Sequence, residues 1–430
     1  MEGEHLNVLA TPIVINGTVV KNRLVMGPMA VAAPTKDGRP SDQTIAFFRR
    51  RAEGGVGMII AGGIVATKRS FDEAPFKPLL RFDVDEFLPD FQRVADVVHD
   101  YHVPIIAEIM PGFGRMGVPG PGRPIISASP INVTIPEAHF PKGLLVPGGR
   151  STPVPSEASI EEIELAEQEM IDAAVRVQRA GWDGVEVAAH MSYFAASFLS
   201  PRTNWRTARY GGSIENRARM LVNIVSGIRA RVGRGFVIGL RMTANDYMQP
   251  STSIIEAVAI AKLVERAGAG YVALTAGCYE TMDRSTPSED GQLIDTGEAK
   301  AFKTDLSVPV LVQGLHDPNR AERAVVDGHA DMVVLARQLL ADPDYPRKVF
   351  EGRGEDVVRC DRENQCVRRL IFNMPVRCTV NREMGREDRN GSKLPPVIRL
   401  IQAPLERTVL SLTGSRGVMK VVGALSKERR

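Results

Sequence analysis

Residues 159–189 read SIEEIELAEQEMIDAAVRVQRAGWDGVEVAA and contain one helix followed by one strand. Ser159 and Glu162 fit a capping box, in which a hydroxyl and a carboxylate satisfy free backbone N–H groups at a helix start. Apolar residues then recur on one face of a 3.6-residue spiral until Gly181, where the predicted helix ends. The run GVEVAA, residues 184–189, lacks polar alternation, which is typical of a strand buried on both faces of a parallel sheet.

Seven further apolar runs of this kind lie on either side of that unit. Eight strands alternating with helices between residues 22 and 352 predict a closed (β/α)8 TIM barrel, an architecture that can fill ~250 residues or more as one domain. A doubly wound open sheet is the alternative. The eight runs begin at Arg23, Val56, Pro104, Gly184, Phe236, Tyr271, Pro309 and Met332.

Three segments precede, interrupt or follow the predicted barrel. Asn16-Gly17 lies between two β-branched runs and predicts a tight hairpin. Residues 111–156 contain ten prolines and little periodicity, which indicates an excursion over the barrel mouth, such as a lid. We therefore divide the chain into a barrel domain with its leading hairpin, residues 1–352, and a short C-terminal extension, residues 353–430.

The composition is that of a globular protein, with 43% hydrophobic and 24% charged residues. A net charge of +3 without a long basic run argues against nucleic acid as a partner. The longest apolar stretch, residues 54–66, is shorter than the ~20 residues that a membrane-spanning helix needs. Residues 1–10 show no apolar signal-peptide region. We expect a cytoplasmic enzyme with no membrane partner.

Residues 183–217 read DGVEVAAHMSYFAASFLSPRTNWRTARYGGSIENR and resemble the signature of the old yellow enzyme family. These are the NADH:flavin oxidoreductases that include 2,4-dienoyl-CoA reductase and trimethylamine dehydrogenase. Supporting matches are KNRLVMGPM from Lys21, EGGVGMII from Glu53 and DMVVLARQLLADPDYP from Asp331. The resemblance covers residues 8–387. It implies an FMN over the mouth of a TIM barrel, NAD(P)H as electron donor and a small-molecule substrate, and we also expect a homo-oligomer.

The resemblance assigns residues to the flavin. Arg241, at the end of the fifth strand, would place a cation near N1 and O2, where negative charge gathers in the reduced ring. The phosphate would lie after the seventh and eighth strands, although Ala336 stands where the family usually has Gly. The predicted cofactor-binding residues are Pro28, Met29, Ala30, Gly62, Glu108, Arg241, Gly314, Ala336 and Arg337.

Tyr193 is the predicted catalytic acid. In the family, a Tyr at this place protonates the α-carbon of an activated alkene while flavin N5 delivers hydride to the β-carbon. A phenol holds its proton at pH 7 until the enolate develops. The family's two donors to the substrate carbonyl would fall on Ala188 and Met191, which cannot donate. His190 lies between them and is the second predicted catalytic residue, reaching the site if the backbone bulges.

Other positions also depart from the family pattern. Glu108 matches a family Gln near the flavin pyrimidine edge, so its carboxyl is protonated, contacts the flavin N3–H or turns away. Ala30 stands where many members carry a Thr or Cys that tunes the flavin through O4. After the sixth strand, Tyr279 and Glu280 are the polar groups nearest to the place of a second substrate-binding His, and the sequence assigns them no role.

Three of the four cysteines lie together in the extension, at Cys360, Cys366 and Cys378. Dienoyl-CoA reductase and trimethylamine dehydrogenase carry a [4Fe–4S] motif here, C-x2-C-N-x2-C followed by a distant fourth Cys. In this chain Glu363 takes the second ligand position, and one residue is missing before the third. The alternatives are a cluster held by three thiolates and a carboxylate, or a relic of that fold or a zinc site.

These features predict an FMN-dependent, ene-reductase-like enzyme that uses NAD(P)H to reduce an enone, an enoate or a 2,4-dienoyl thioester. No second nucleotide-binding motif follows Cys378, so electrons are expected directly from NAD(P)H or from a separate electron-transfer protein. Two alternatives stay open. One is a flavin-dependent amine or alcohol dehydrogenase that passes electrons to a partner, and the other is an FMN-binding subunit with impaired catalysis.

Overall fold

The computed structural model describes residues 8–31, 33–388, 406 and 408–427. A hairpin of two short strands, Ile13–Ile15 and Thr18–Val20, precedes the main parallel sheet. All eight apolar runs form strands of that sheet, as predicted. They are β1 (Leu24–Met26), β2 (Met58–Val65), β3 (Ile105–Met110), β4 (Gly184–Ala189), β5 (Val237–Asn245), β6 (Tyr271–Ala276), β7 (Val310–Gln313) and β8 (Met332–Leu335).

The sheet closes on itself. β8 pairs in parallel with β1, which places Leu335 opposite Met26, and β1 pairs with β2. The other strands neighbour one another in chain order, and Leu80–Arg81 adds a two-residue strand beside β2. This closure confirms the TIM barrel and rules out the open sheet.

Helices cover the outside of the barrel. The helix before β4 begins after Ser159, and Ser159 and Glu162 exchange the predicted capping-box hydrogen bonds. The barrel helices are α1 (Asp42–Glu53), α2 (Leu88–His99), α3 (Ile160–Arg179), α4 (Ile214–Val232), α5 (Ile254–Ala267), α6 (Glu298–Asp305), α7 (Pro318–Val326) and α8 (Tyr345–Phe350). Shorter helices are Lys68–Asp72, Phe194–Ser197, Met282–Ser285, Gln292–Asp295 and Arg337–Ala341.

The hairpin closes the amino-terminal end of the barrel. Ile15 and Val20 pack with buried residues from the starts of the strands, among them Val25, Met58 and Val237. Because this end is filled with apolar side chains, the polar groups that could act on a ligand lie at the carboxyl ends of the strands, where TIM barrels place their active sites.

The proline-rich excursion packs over those carboxyl ends. Its short strand Thr134–Ile135 pairs with Arg150–Ser151 in antiparallel fashion. Ile135 belongs to an apolar cluster that also contains Tyr193 and Tyr279. The excursion therefore covers part of the barrel mouth.

The described part of the C-terminal extension packs against the barrel and includes two helices, Gln365–Ile371 and Arg416–Lys427. Arg51 of α1 is fully buried and forms an ion pair of 2.5 Å with Glu387. Of the helices in the described ranges, none has both the length and the apolar character required to cross a lipid bilayer.

Candidate active site

A cavity of about 210 Å3 opens at the carboxyl ends of the strands. It is lined by residues at or after the ends of β1, β4, β6, β7 and β8 and by Arg241, which is the middle residue of the nine-residue β5 and not its end as predicted. The structure thus brings together six predicted site residues from distant parts of the chain. These six are Pro28, His190, Arg241, Gly314, Ala336 and Arg337.

Gly62 allows the loop after β1 to lie directly against β2. A Cβ atom on Gly62 would come within 2.5 Å of the Met29 nitrogen and 2.6 Å of the Pro28 Cβ. Gly63 has a φ of +70°, and a Cβ there would lie 2.6 Å from the Ala30 Cα. Only glycine fits at such distances. The two glycines therefore fix the backbone of residues 28–30 beside the cavity, where the flavin contacts are predicted.

Arg241 is fully buried and does not form a surface salt bridge. Its Nε donates to Glu186 Oε1 at 2.6 Å, and its Nη2 lies 3.3 Å from Glu186 Oε2. Tyr271 donates a further hydrogen bond of 2.9 Å to the same carboxylate. The charge of Arg241 is thus balanced by Glu186, while Nη1 has no hydrogen-bond partner among the described residues and remains available to a ligand.

Glu108 and His190 face each other beside Arg241. Glu108 Oε1 lies 3.4 Å from Arg241 Nε and 3.9 Å from His190 Nε2. Burial raises the pKa of Glu108 to about 8, with Arg241 opposing and Glu186 adding to the shift. Burial, aided by Arg241, lowers the pKa of His190 to about 3. Burial thus favours the neutral form of both side chains.

Two buried polar atoms of this pair lack partners. Glu108 Oε1 and His190 Nδ1 form no hydrogen bond with any described residue. Buried polar atoms in native proteins are nearly always paired, so these two indicate a missing partner. A flavin ring, which carries donors and acceptors on its pyrimidine edge, would supply one. The residues present therefore fit the predicted cofactor.

Replacing Glu108 by Gln should change how stability depends on pH. The pKa of Glu108 is raised in the folded state, so the folded protein binds more protons than the unfolded chain between the two pKa values. The wild-type free energy of unfolding should then fall, relative to that of Glu108→Gln, as pH rises from about 5 to 8, by up to ~1.4 kcal/mol per pH unit. Urea unfolding across this range measures the difference, and parallel pH profiles for the two proteins would contradict the assignment.

Tyr193 follows β4 and is the N-cap residue of the short helix Phe194–Ser197. Its hydroxyl lies 3.2 Å from the Tyr279 hydroxyl, and its ring makes an edge contact with the His190 ring at 5.3 Å. Burial, with a smaller contribution from Tyr279, raises the pKa of Tyr193 well above 10. Tyr193 therefore carries its proton at pH 7.

Gly314 and Arg337 form the far end of the cavity. Gly314 has a φ of +87°, the left-handed region that favours glycine, and a Cβ there would meet no atom within 4 Å. Arg337 begins the short helix after β8, with Ala336 as its N-cap. Its guanidinium donates to Asn364 Oδ1 at 2.6 Å and to the Pro287 carbonyl at 2.7 Å. Guanidinium groups and glycine-rich turns are suited to binding a phosphate.

The sequence named Tyr279 and Glu280 without giving them a role, and it did not point to His316. Tyr279, the partner of Tyr193, follows the end of β6, so its position at a strand end was a usable signal. His316 also lines the cavity, and it follows Gly314 by two residues. Glu280 is buried and pairs with Arg115 and Arg202. Its carboxylate neutralises these two cations.

The cysteine motif does not present four ligands. Glu363, at the second ligand position, is partly exposed and pairs with Lys142 of the excursion at 2.5 Å. Cys366 and Cys378 pack against the hydrophobic core as free thiols. In the residues that the structure describes, no group of three or more His, Cys, Asp or Glu side chains is placed to hold a metal. The donor set therefore does not fit a [4Fe–4S] cluster, and we assign no chemistry to one.

Comparison with known families identifies the barrel. Residues 8–356 match the model of the NADH:flavin oxidoreductase / NADH oxidase family. This chain belongs to that family. The family match confirms the resemblance to old yellow enzymes and extends over the whole barrel, including every residue that lines the cavity.

The flavin oxidoreductase chain is also similar to individual relatives. It is 32% identical over 419 residues to an NADH oxidase of Thermoanaerobacter brockii, covering 96% of this chain and 60% of the relative. It is 29% identical to a cinnamate reductase of Clostridium sporogenes, covering 93% of this chain and 61% of that protein. The chain thus spans about 60% of the length of these two relatives.

A solved complex of 2-naphthoyl-CoA reductase with 2-naphthoyl-CoA has the same fold. The TM-score is 0.77 at 29% sequence identity, and the match covers 89% of this chain and 58% of the other.

Proposed function

We propose that this chain is an FMN-dependent oxidoreductase that uses NAD(P)H to reduce an activated C=C bond. The substrates we propose are α,β-unsaturated carbonyl compounds and thioesters, including 2,4-dienoyl thioesters. The observation that carries the proposal is Tyr193, a buried and protonated phenol whose ring contacts His190, a residue that lines the cavity. Family membership supports the flavin and the nicotinamide donor.

The pocket residues fit an FMN. Arg337 and Gly314 would hold the phosphate, and the backbone of residues 28–30 would line the ring. Arg241, with its free Nη1, would donate to the pyrimidine edge. Bound FMN supplies the hydride that adds to the β-carbon of the alkene.

Tyr193 performs the matching proton transfer. As the C=C bond receives hydride at one carbon, the Oη–H bond of Tyr193 breaks and a C–H bond forms at the α-carbon. The resulting phenolate accepts a hydrogen bond from Tyr279 and is reprotonated from solvent. Because Ala188 and Met191 cannot donate, the substrate carbonyl would be polarised by a backbone N–H or by His190, whose neutral ring can carry a proton on either nitrogen.

Two relatives have substrates of the proposed class. Cinnamate is an α,β-unsaturated acid, and 2-naphthoyl-CoA is an unsaturated thioester. The alternative in which electrons leave through an iron-sulfur cluster has less support, because Glu363 pairs with Lys142 and does not join the thiols.

Anaerobic half-reactions test the proposal. The flavin is first reduced with NADH or NADPH, and the reduced protein is then mixed with cinnamate, an enone or a 2,4-dienoyl thioester in deuterated water. We expect at least one class to reoxidise the flavin and to yield a saturated product with solvent deuterium at the α-carbon. Reoxidation by none of these compounds, with NAD(P)H still reducing the flavin, would refute the proposed substrate class.

A further inference from the structure

The loop that carries the first cysteine is held against the phosphate end of the cavity. The Cys360 backbone N–H donates to Gln338 Oε1 at 3.1 Å, and Gln338 Nε2 donates to the Val358 carbonyl at 2.9 Å. Gln338 is buried and follows Arg337 in the chain. These hydrogen bonds place residues 358–364 beside the guanidinium that would bind the phosphate.

Asn364 connects this loop to Arg337. It adopts a left-handed conformation with a φ of +54° and is 4% exposed. Its Oδ1 accepts from Arg337 Nη1 at 2.6 Å, and its Nδ2 donates to the Lys142 carbonyl at 2.9 Å. Both ends of the amide are thus occupied, so its orientation is fixed.

Arg337 keeps donors free for a ligand. A guanidinium has five N–H groups, and the hydrogen bonds to Asn364 and to the Pro287 carbonyl use two of them. These two hydrogen bonds, one to a side chain and one to a backbone carbonyl, hold the plane of the guanidinium. Three N–H groups therefore remain for a ligand on Arg337, which lines the cavity.

An ion pair and two hydrogen bonds also connect the loop to the segment after β7. Arg362 pairs with Asp290, and that carboxylate also accepts the backbone N–H groups of His316 and Asp317 at 2.9 Å each. His316 and Gly314 line the same end of the cavity. The loop therefore braces both segments that the phosphate would contact.

Neither hydrogen bond of the Arg337 guanidinium involves a thiol. Cys360 donates its backbone N–H to Gln338, and the sulfurs of Cys360 and Cys366 accept from the backbone N–H groups of Arg362 and Val367. The carboxylate of Glu363 points to Lys142. The side-chain contacts of the loop thus support Arg337.

We infer that Asn364 is a positioning residue for FMN binding, holding Arg337 in the orientation that binds the flavin phosphate, and that the loop of residues 358–364 serves this purpose without an iron-sulfur cluster. The inference rests on the proposed function, because it requires FMN in the cavity. It assigns a present role to a segment whose sequence resembles a degraded cluster motif.

The test compares FMN with riboflavin, which lacks the phosphate. Flavin-free full-length protein is titrated with each flavin, and binding is followed by quenching of flavin fluorescence. Asn364→Gly removes the amide and keeps the left-handed backbone free of strain. We expect it to raise the Kd for FMN on the order of 10-fold or more, the effect of losing one hydrogen bond to a charged group, and to leave the Kd for riboflavin unchanged.

Asn381→Ala is the matched control. Asn381 also ties the extension to the barrel, by donating to the Leu340 carbonyl at 2.8 Å, but does not contact Arg337. It should leave both affinities unchanged. Thermal unfolding of each variant shows whether the fold is retained, and Arg337→Met should reproduce the selective loss of FMN affinity.

Other outcomes would overturn the inference. If Asn364→Gly weakens the binding of FMN and of riboflavin equally, its effect is a general structural one. If it weakens the binding of neither flavin, Asn364 does not act on the phosphate. Stoichiometric iron and sulfide in anaerobically purified protein, lost in Cys378→Ser, would refute the absence of a cluster. If the wild-type protein binds neither flavin, the proposed function fails together with the inference.

Discussion

Tyr193→Phe should slow reoxidation of the reduced flavin by the alkene by ~10²- to 10⁴-fold, the usual contribution of a positioned general acid. Reduction of the flavin by NAD(P)H requires no proton from this phenol, so its rate should not change. Anaerobic stopped-flow measurements separate the two half-reactions. Loss of activity confined to the second one would identify Tyr193 as the proton donor.

Phe preserves the packing of the Tyr193 ring against Phe113 and His190, so only the hydroxyl is lost. Tyr210→Phe is the control, since Tyr210 is another buried phenol, and burial raises its pKa to about 12. It lies away from the cavity-lining residues and should leave both half-reactions unchanged. An equal slowing of both half-reactions by Tyr193→Phe would point to a structural role instead.

Arg241→Met should destabilise the protein strongly. The substitution leaves the Glu186 carboxylate, which is 0% exposed, without its cationic partner. Breaking a buried ion pair in this way costs about 3–5 kcal/mol. The free energy of unfolding in urea measures the loss, and the flavin affinity should fall as well because Nη1 is removed from the cavity.

The double variant Arg241→Met/Glu186→Gln tests what causes the loss of stability in Arg241→Met. If the cost comes from an unpaired buried carboxylate, neutralising Glu186 should recover much of the stability. Arg231→Met is the surface control: Arg231 is 53% exposed and lies 3.6 Å from Asp172, so its loss should cost no more than about 1 kcal/mol. Similar losses for Arg241→Met and Arg231→Met would contradict the assigned role of the buried pair.

The barrel was predictable because its signals are local. Each strand is a short apolar run, and capping residues such as Ser159 mark helix starts. The sequence also contains a signal that Glu186 has a cationic partner. Glu186 interrupts the apolar run GVEVAA, and a charge inside a fully buried strand requires a counter-charge. Neither the ion pair itself nor its geometry could be derived, since the two residues lie on different strands.

The contacts of the extension could not be predicted. Asn364 reaches Arg337 only through a left-handed turn and a loop that folds back over the barrel. The sequence shows a cysteine pattern there and thus directs attention to metal ligands. Whether Glu363 joins the thiols or pairs with Lys142 depends on where the excursion lies, and that segment has little periodicity from which to place it.

The visible spectrum of the anaerobically purified full chain, before and after addition of NADH or NADPH, tests the central claim most directly. We expect the absorption bands of bound oxidised FMN, recoverable after reconstitution if flavin is lost in purification, and their bleaching by at least one of the two nucleotides. Colourless protein that FMN does not reconstitute, or bound flavin that neither nucleotide reduces, would contradict the account.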